Sequence, residues 1–104
     1  MKEIIIQRAI LDYLAVLENR GKVYCFRAGA GMIPTKAGGM FKTGRAGCPD
    51  IICCADGKFI GLEVKNEKGK MSTKQKEAQE LIERTGGRYH VVRSIDDVEK
   101  LLTV

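Results

Sequence analysis

The chain has 104 residues, 44% of them hydrophobic, with 18 Lys and Arg against 13 Asp and Glu, for a formal net charge of +5. That length predicts one domain over residues 1–104, and no apolar run is long enough to span a membrane. The opening Met1–Gln7 is too short and too interrupted for a signal peptide, which predicts a soluble, unprocessed protein.

Charge distribution says more than the sum. Between Arg20 and Lys76 there are twelve basic and four acidic residues, and two of those acids are Asp50 and Glu63. A basic surface around a pair of acids suits a polyanion brought to a metal; mild basicity without a specific partner is the plainer reading. The four cysteines, Cys25, Cys48, Cys53 and Cys54, form no Cys-x-x-Cys pair, and His90 lies far from them in sequence. A zinc site has no usable spacing, and free, mostly buried thiols in a reducing cytoplasm are expected.

Residues 3–18 have a helical pattern, with Ile6, Ile10, Tyr13, Leu14 and Leu17 at three- and four-residue spacing and Gly21 as a stop. Glu3 and Gln7 are the surprise on this helix. Glu3 projects onto the apolar stripe, where it is either favoured by the helix dipole or aimed at something; an exposed first-turn acid is the plainer alternative.

Residues 23–28 are predicted as a strand ending near Arg27. The segment from Gly29 to Gly47 holds six glycines, Pro34, Lys36, Lys42 and Arg45, and is expected as a long loop. Gly39 to Gly44 has the spacing of a phosphate-binding P-loop, but Arg45 and Ala46 follow it, which excludes that motif. Glycines and cations still suit close approach to phosphates; a plain flexible hairpin or surface loop is the alternative.

Two strands, 51–54 and 59–65, follow around an Asp56-Gly57 turn. Ser72 opens a second helix, Gln75 completes a Ser-x-x-Gln capping box, and Gly86-Gly87 ends the helix. Gln75 lies on the side of Ala78 and Ile82 and points inward, although capping alone accounts for it. A strand over 88–93 and a short helix over 96–102, capped by Ser94, complete the chain. The strand–helix–strand passage calls for a parallel pair and the earlier hairpin for an antiparallel one. The expected fold is therefore α/β, a mixed sheet flanked by helices.

Strand side chains alternate, so Glu63 and Lys65 share a face, and Asp50 opens the neighbouring strand. Two carboxylates and an ammonium are the minimum for holding a divalent cation beside water and phosphate. Mg²⁺ and Mn²⁺ prefer oxygen ligands, which Asp50, Glu63 and the Val64 carbonyl can supply. Lys65 is suited to orienting the water or offsetting phosphate charge, more than to acting as a general base.

The run Gly47-Cys48-Pro49-Asp50, then Glu63-Val64-Lys65, then Gln75, resembles the PD-(D/E)xK nuclease superfamily. More narrowly it is similar to the VRR-NUC (virus-type replication–repair nuclease) group, in its small stand-alone form. The resemblance implies a restriction-endonuclease-like core of about four strands in the order αβββαβ plus a short C-terminal helix. It implies Mg²⁺- or Mn²⁺-dependent hydrolysis of DNA, with Asp50 and Glu63 as metal ligands and Lys65 as the catalytic lysine. Gln75 and Glu3 match accessory active-site positions. It also implies branched or Holliday-junction DNA as substrate, a role in DNA repair, a homodimer, and a bacterial or phage-infected cytoplasm. Arg27, Lys36, Lys42 and Arg45 are the expected DNA-backbone contacts, and Ile4 and Ile5 are a candidate dimer surface, with a place in the core as the alternative. Two rivals are a non-catalytic nucleic-acid-binding module and a nuclease subunit active only with a partner.

Overall fold

The computed structural model describes residues 1–102; the last two residues of the expected 1–104 domain lie outside the described residues. Helix α1 (Glu3–Asn19) leads to β1 (Tyr24–Arg27), β2 (Gly31–Pro34), β3 (Met40–Thr43), β4 (Ile51–Ala55) and β5 (Lys58–Val64). Then come α2 (Thr73–Arg84), β6 (Arg88–Val92) and α3 (Ile95–Leu102). Four strands form one sheet in the order β1-β4-β5-β6, with the first two pairings antiparallel and β5–β6 parallel.

The mixed sheet follows from its connections. Between β4 and β5 the Asp56-Gly57 turn has positive φ at both residues (53° and 74°), the geometry that matches the right-handed twist of a tight hairpin. Between β5 and β6 the chain crosses over through α2, and the strands run parallel. One face of the sheet carries the core. Ile51, Cys53, Ile60, Leu62, Val64 and Val92 pack with Ile6, Ile10, Leu14 and Leu17 of α1 and Val98 and Leu102 of α3. The predicted α1 stripe is thus the buried one apart from half-buried Tyr13, and Gln7 is buried with it. The Ser94 hydroxyl accepts the Asp97 N–H at 3.2 Å, the expected cap of α3.

Helix α2 lies on the other face and buries none of its twelve residues. It covers that face only in part. A groove of about 830 Å³ runs between Phe26, Ile52 and Phe59 of the sheet and Ala78, Leu81 and Ile82 of the helix.

The segment 29–47, expected as a long loop with a plain hairpin as the alternative, contains an antiparallel hairpin, β2–β3. Thr35 closes it, its N–H donating to the Gly39 carbonyl at 2.9 Å and its hydroxyl accepting the Gly39 N–H at 3.1 Å. Apart from half-buried Thr43, both strands are exposed on both faces, Met32, Ile33, Met40 and Phe41 among them. Without a buried face there is no apolar alternation, so the strand period was invisible in the sequence. The cysteines are free, as expected, but only Cys53 is buried and Cys54 is exposed. Burial, with Cys25 opposite it, pushes the Cys53 thiol up to about 12, which leaves it inert.

Candidate active site

The site is built where the β4–β5 ladder stops. The last registered pair is Ile51↔Leu62. One residue earlier, Asp50 gives its carbonyl to the Ala28 N–H at 2.8 Å, which ties the start of β4 to the end of β1. Pro49, fully buried and without an N–H, leaves the ladder and lays its ring over Gly61, where a Cβ would stand 2.4 Å from Pro49 Cγ. The ladder position that Pro49 vacates on β5 is taken by a side chain: Asp50 Oδ2 accepts the Val64 N–H at 2.8 Å. A strand carbonyl points the same way as its own N–H. The Val64 carbonyl therefore looks past the end of β4, beside the Asp50 carboxylate.

Glu63 is 3% exposed and points to the α2 face, opposite its core-facing neighbours Leu62 and Val64. Three groups hold its carboxylate. Gln75 Nε2 donates to Oε2 at 3.0 Å, the Tyr89 hydroxyl donates to Oε1 at 3.3 Å, and Lys65 Nζ stands 3.6 Å from Oε2. Burial and the adjacent Asp50 carboxylate push Glu63 up to about 7, while Lys65 and Tyr89 pull it down. The balance is informative. Two carboxylates and one ammonium leave an excess negative charge in a buried place, which a hard dication with oxygen ligands would neutralise. Among the described residues no cluster of three or more His, Cys, Asp or Glu side chains has metal-binding geometry. The oxygen donors that face one another here are the two carboxylates and the Val64 carbonyl, the kind of set a hard dication takes.

Gln75 does two things at once. Its Oε1 accepts the Ser72 N–H at 2.9 Å and its N–H donates to Ser72 Oγ at 3.2 Å, the complete capping box. With Oε1 engaged there, Nε2 is turned toward Glu63. Capping and an inward role were alternatives in the sequence; the fold makes them one interaction. Replacing Gln75 by Ala is expected to cost about 1 kcal/mol of stability and to lower cleavage about 10-fold or more. Ser72→Ala breaks the box from its other side and leaves the Gln75 amide on Glu63, so stability should fall by about 1 kcal/mol while cleavage holds. Melting curves beside single-turnover rates separate the two; a loss confined to melting in Gln75→Ala would leave Gln75 a cap only.

Glu3 approaches from α1. Its Oε2 accepts the Asn66 N–H at 3.3 Å, just beyond Lys65. Both acid and lysine rest on Gly69, where a Cβ would stand 2.7 Å from Glu3 Oε2 and 3.0 Å from Lys65 Cδ. Arg93 holds this connector through the carbonyls of Asn66 and Gly69. Glu3 is thus brought beside the Lys65 stem, with its carboxylate bonded to the connector. The basic residues are less closely gathered. Arg27 ends β1 opposite Ile51, and Arg45 accepts the Cys48 N–H through its carbonyl in the turn leading to Asp50. Lys42 lies on β3, and Lys36 sits at the tip of the β2–β3 hairpin. All four are exposed, and none makes a salt bridge among the described residues.

Sequence reading assigned no role to Tyr89, unremarked in the predicted strand over 88–93, and none to Gly47 beyond its place before Cys48-Pro49-Asp50. Tyr89 is 1% exposed, and its hydroxyl reaches Glu63 and, at 3.3 Å, the Gly47 carbonyl. Gly47 (φ +80°) packs so closely on α2 that a Cβ would lie 2.1 Å from the Lys74 carbonyl oxygen.

A mixed four-stranded sheet with its acids at the open end of an antiparallel hairpin is compatible with a restriction-endonuclease-like α/β core. The particular fold is that of a VRR_NUC domain: a solved structure of that description superposes with a TM-score of 0.66 over 97% of this chain and 94% of its own, at 22% identity. No protein-family model matches the sequence, and no curated protein matches it either.

Proposed function

We propose that the protein is a divalent-metal-dependent deoxyribonuclease that hydrolyses phosphodiester bonds. The observation that carries the reading is the pair of carboxylates at the end of β4 and β5, with Lys65 Nζ 3.6 Å from Glu63. Asp50, Glu63 and the Val64 carbonyl would hold Mg²⁺ or Mn²⁺. When bound, such an ion polarises a phosphoryl oxygen and acidifies a water. The remaining work falls to the chain. Gln75 and Tyr89 keep the Glu63 carboxylate from rotating. The Val64 N–H anchors one oxygen of Asp50 and so fixes that carboxylate beside Glu63. Lys65 presents a positive charge where negative charge develops on the phosphate, and Glu3 borders the stem that carries it.

The direct test is cleavage of a supercoiled plasmid and a four-way junction in Mg²⁺, Mn²⁺, Ca²⁺ and excess EDTA. Turnover is expected in the first two only. Lys65→Ala should retain DNA binding and lose most turnover, about 100-fold or more. Full cleavage in EDTA would overturn the reading.

Branched DNA as the preferred substrate and a homodimer as the working form belong to the same proposal. A symmetric junction has two strands to cut, and a two-fold dimer presents two sites. Ile4 and Ile5 are 47% and 54% exposed on α1, as a contact surface would require. No helix among the described residues is long and apolar enough to cross a membrane. A place in the cytoplasm of a bacterial or phage-infected cell, in repair of branched intermediates, fits this activity.

Arg27, Lys36, Lys42 and Arg45 are the proposed backbone contacts. Neutralising Lys36, Lys42 and Arg45 together should weaken binding alike for all sequences and reduce the slope of log K against log salt by about 2–3. An unchanged slope, read by fluorescence anisotropy, would remove the β2–β3 hairpin from the DNA surface.

A further inference from the structure

We propose that Tyr89 is a positioning residue whose hydroxyl ties the Glu63 carboxylate to the Gly47 turn, so that the two acids of the site are held in one geometry. The inference rests on the metal-nuclease reading and adds a residue to it. Tyr89 lies opposite Gly61 on the parallel strand β6, on the sheet face that carries Glu63. Its ring is fully buried, and a Phe would fill the same space. The hydroxyl is therefore the part that calls for an explanation.

A buried tyrosine hydroxyl needs one acceptor. This one has two, Gly47 O and Glu63 Oε1, both at 3.3 Å. Gly47 is the third residue of the Arg45–Cys48 turn, three residues before Asp50, and it packs against the Lys74–Gln75 peptide at the start of α2. Gln75 in turn donates to the other oxygen of Glu63. The contacts close a ring: Glu63, Gln75, the start of α2, Gly47, Tyr89 and back to Glu63. Moving any member shifts Glu63 relative to Asp50. With the hydroxyl's one proton shared between a peptide carbonyl and a carboxylate, the charge-assisted bond to Glu63 is the stronger. Outer contacts of this kind orient metal ligands and govern affinity.

The test is Mn²⁺ binding to the full chain without DNA, followed by electron paramagnetic resonance of the free ion. Tyr89→Phe should weaken Mn²⁺ binding about 10-fold or more, and cleavage at saturating metal should also fall. Gln79→Leu is the control. It removes the 3.1 Å bond from Gln79 Nε2 to the Tyr89 carbonyl, another α2–β6 tie, without touching Glu63. Its Mn²⁺ affinity should match wild type. Unchanged affinity in Tyr89→Phe, or an equal loss in Gln79→Leu, overturns the positioning role.

A readout on the unsubstituted protein guards against a variant that does not fold. The ¹³Cζ resonance of Tyr89 should move on adding Mg²⁺, while those of Tyr13 and Tyr24 stay. A stationary Tyr89 resonance overturns the proposal. Failure of the wild-type chain to bind Mn²⁺ at all would instead remove the metal-nuclease reading itself.

Discussion

Glu63→Gln should abolish cleavage and, without metal, make the protein more stable. The substitution keeps the shape and one acceptor, the amide oxygen facing Gln75 Nε2; its NH₂ then donates to the Tyr89 hydroxyl, which keeps the Gly47 carbonyl as its own acceptor. The substitution removes the charge that burial and Asp50 oppose. Glu63 titrates at about 7 in the folded chain against an ordinary 4.5. The folded state therefore holds this proton more tightly than the unfolded state. Its destabilising effect is complete above about pH 7, diminishes as pH falls, and is gone below about 4.5. A shift of this size corresponds to about 3 kcal/mol. Metal-free Glu63→Gln should thus melt several degrees above wild type at pH 8 and level with it near pH 4. Adding Mg²⁺ should reverse the order at pH 8, because only wild type gains binding energy from the ion. Calorimetric melts at both pH values, with EDTA or Mg²⁺, read all four conditions. A variant less stable than wild type at pH 8 in EDTA would mean that the Glu63 charge is not strained.

Gly47→Ala is the second large effect. At φ +80° a non-glycine residue is strained whatever surrounds it, and here the Cβ would also stand 2.1 Å from the Lys74 oxygen and 2.5 Å from its carbon. Those are backbone atoms at the capped start of α2 and cannot step aside alone. Either α2 lifts, taking Gln75 from Glu63, or the turn lifts, taking Asp50 with it. The expected cost is about 3 kcal/mol or more, with cleavage lost in proportion to the misplaced acids. Gly38→Ala is the matched comparison. Gly38 has φ +89° and nothing within 4 Å of its missing Cβ. It should cost only the backbone strain, about 1 kcal/mol, and leave cleavage intact. Urea midpoints measure the difference, and equal costs at the two glycines would show that contact with α2 contributes nothing.

The chain determines by itself everything that depends on neighbours in sequence. Helical spacing of Ile6, Ile10, Leu14 and Leu17 gives α1 and its buried stripe. Asp56-Gly57 gives the β4–β5 turn, and that turn fixes the register that sets Asp50 beside the Glu63 strand. Period-two alternation puts Lys65 on the Glu63 face, and Ser72 with Gln75 gives the α2 cap. The carboxylate pair, its lysine and the inward glutamine were legible for that reason. What only the tertiary structure decided lies across contacts that leave no local pattern. The β2–β3 hairpin has no buried face, so nothing in Gly31–Pro34 or Met40–Thr43 alternates. Tyr89 stands 26 residues from Glu63. It reaches Glu63 because β6 pairs in parallel with β5, in a register set by how α2 packs rather than by any turn. Gly47 stands in a recognisable run before Asp50, but why that position needs a glycine shows only once α2 closes over it. The double use of Gln75 needs the same closure: a cap is a local bond, but the direction of its free amide depends on which strand the helix is laid against.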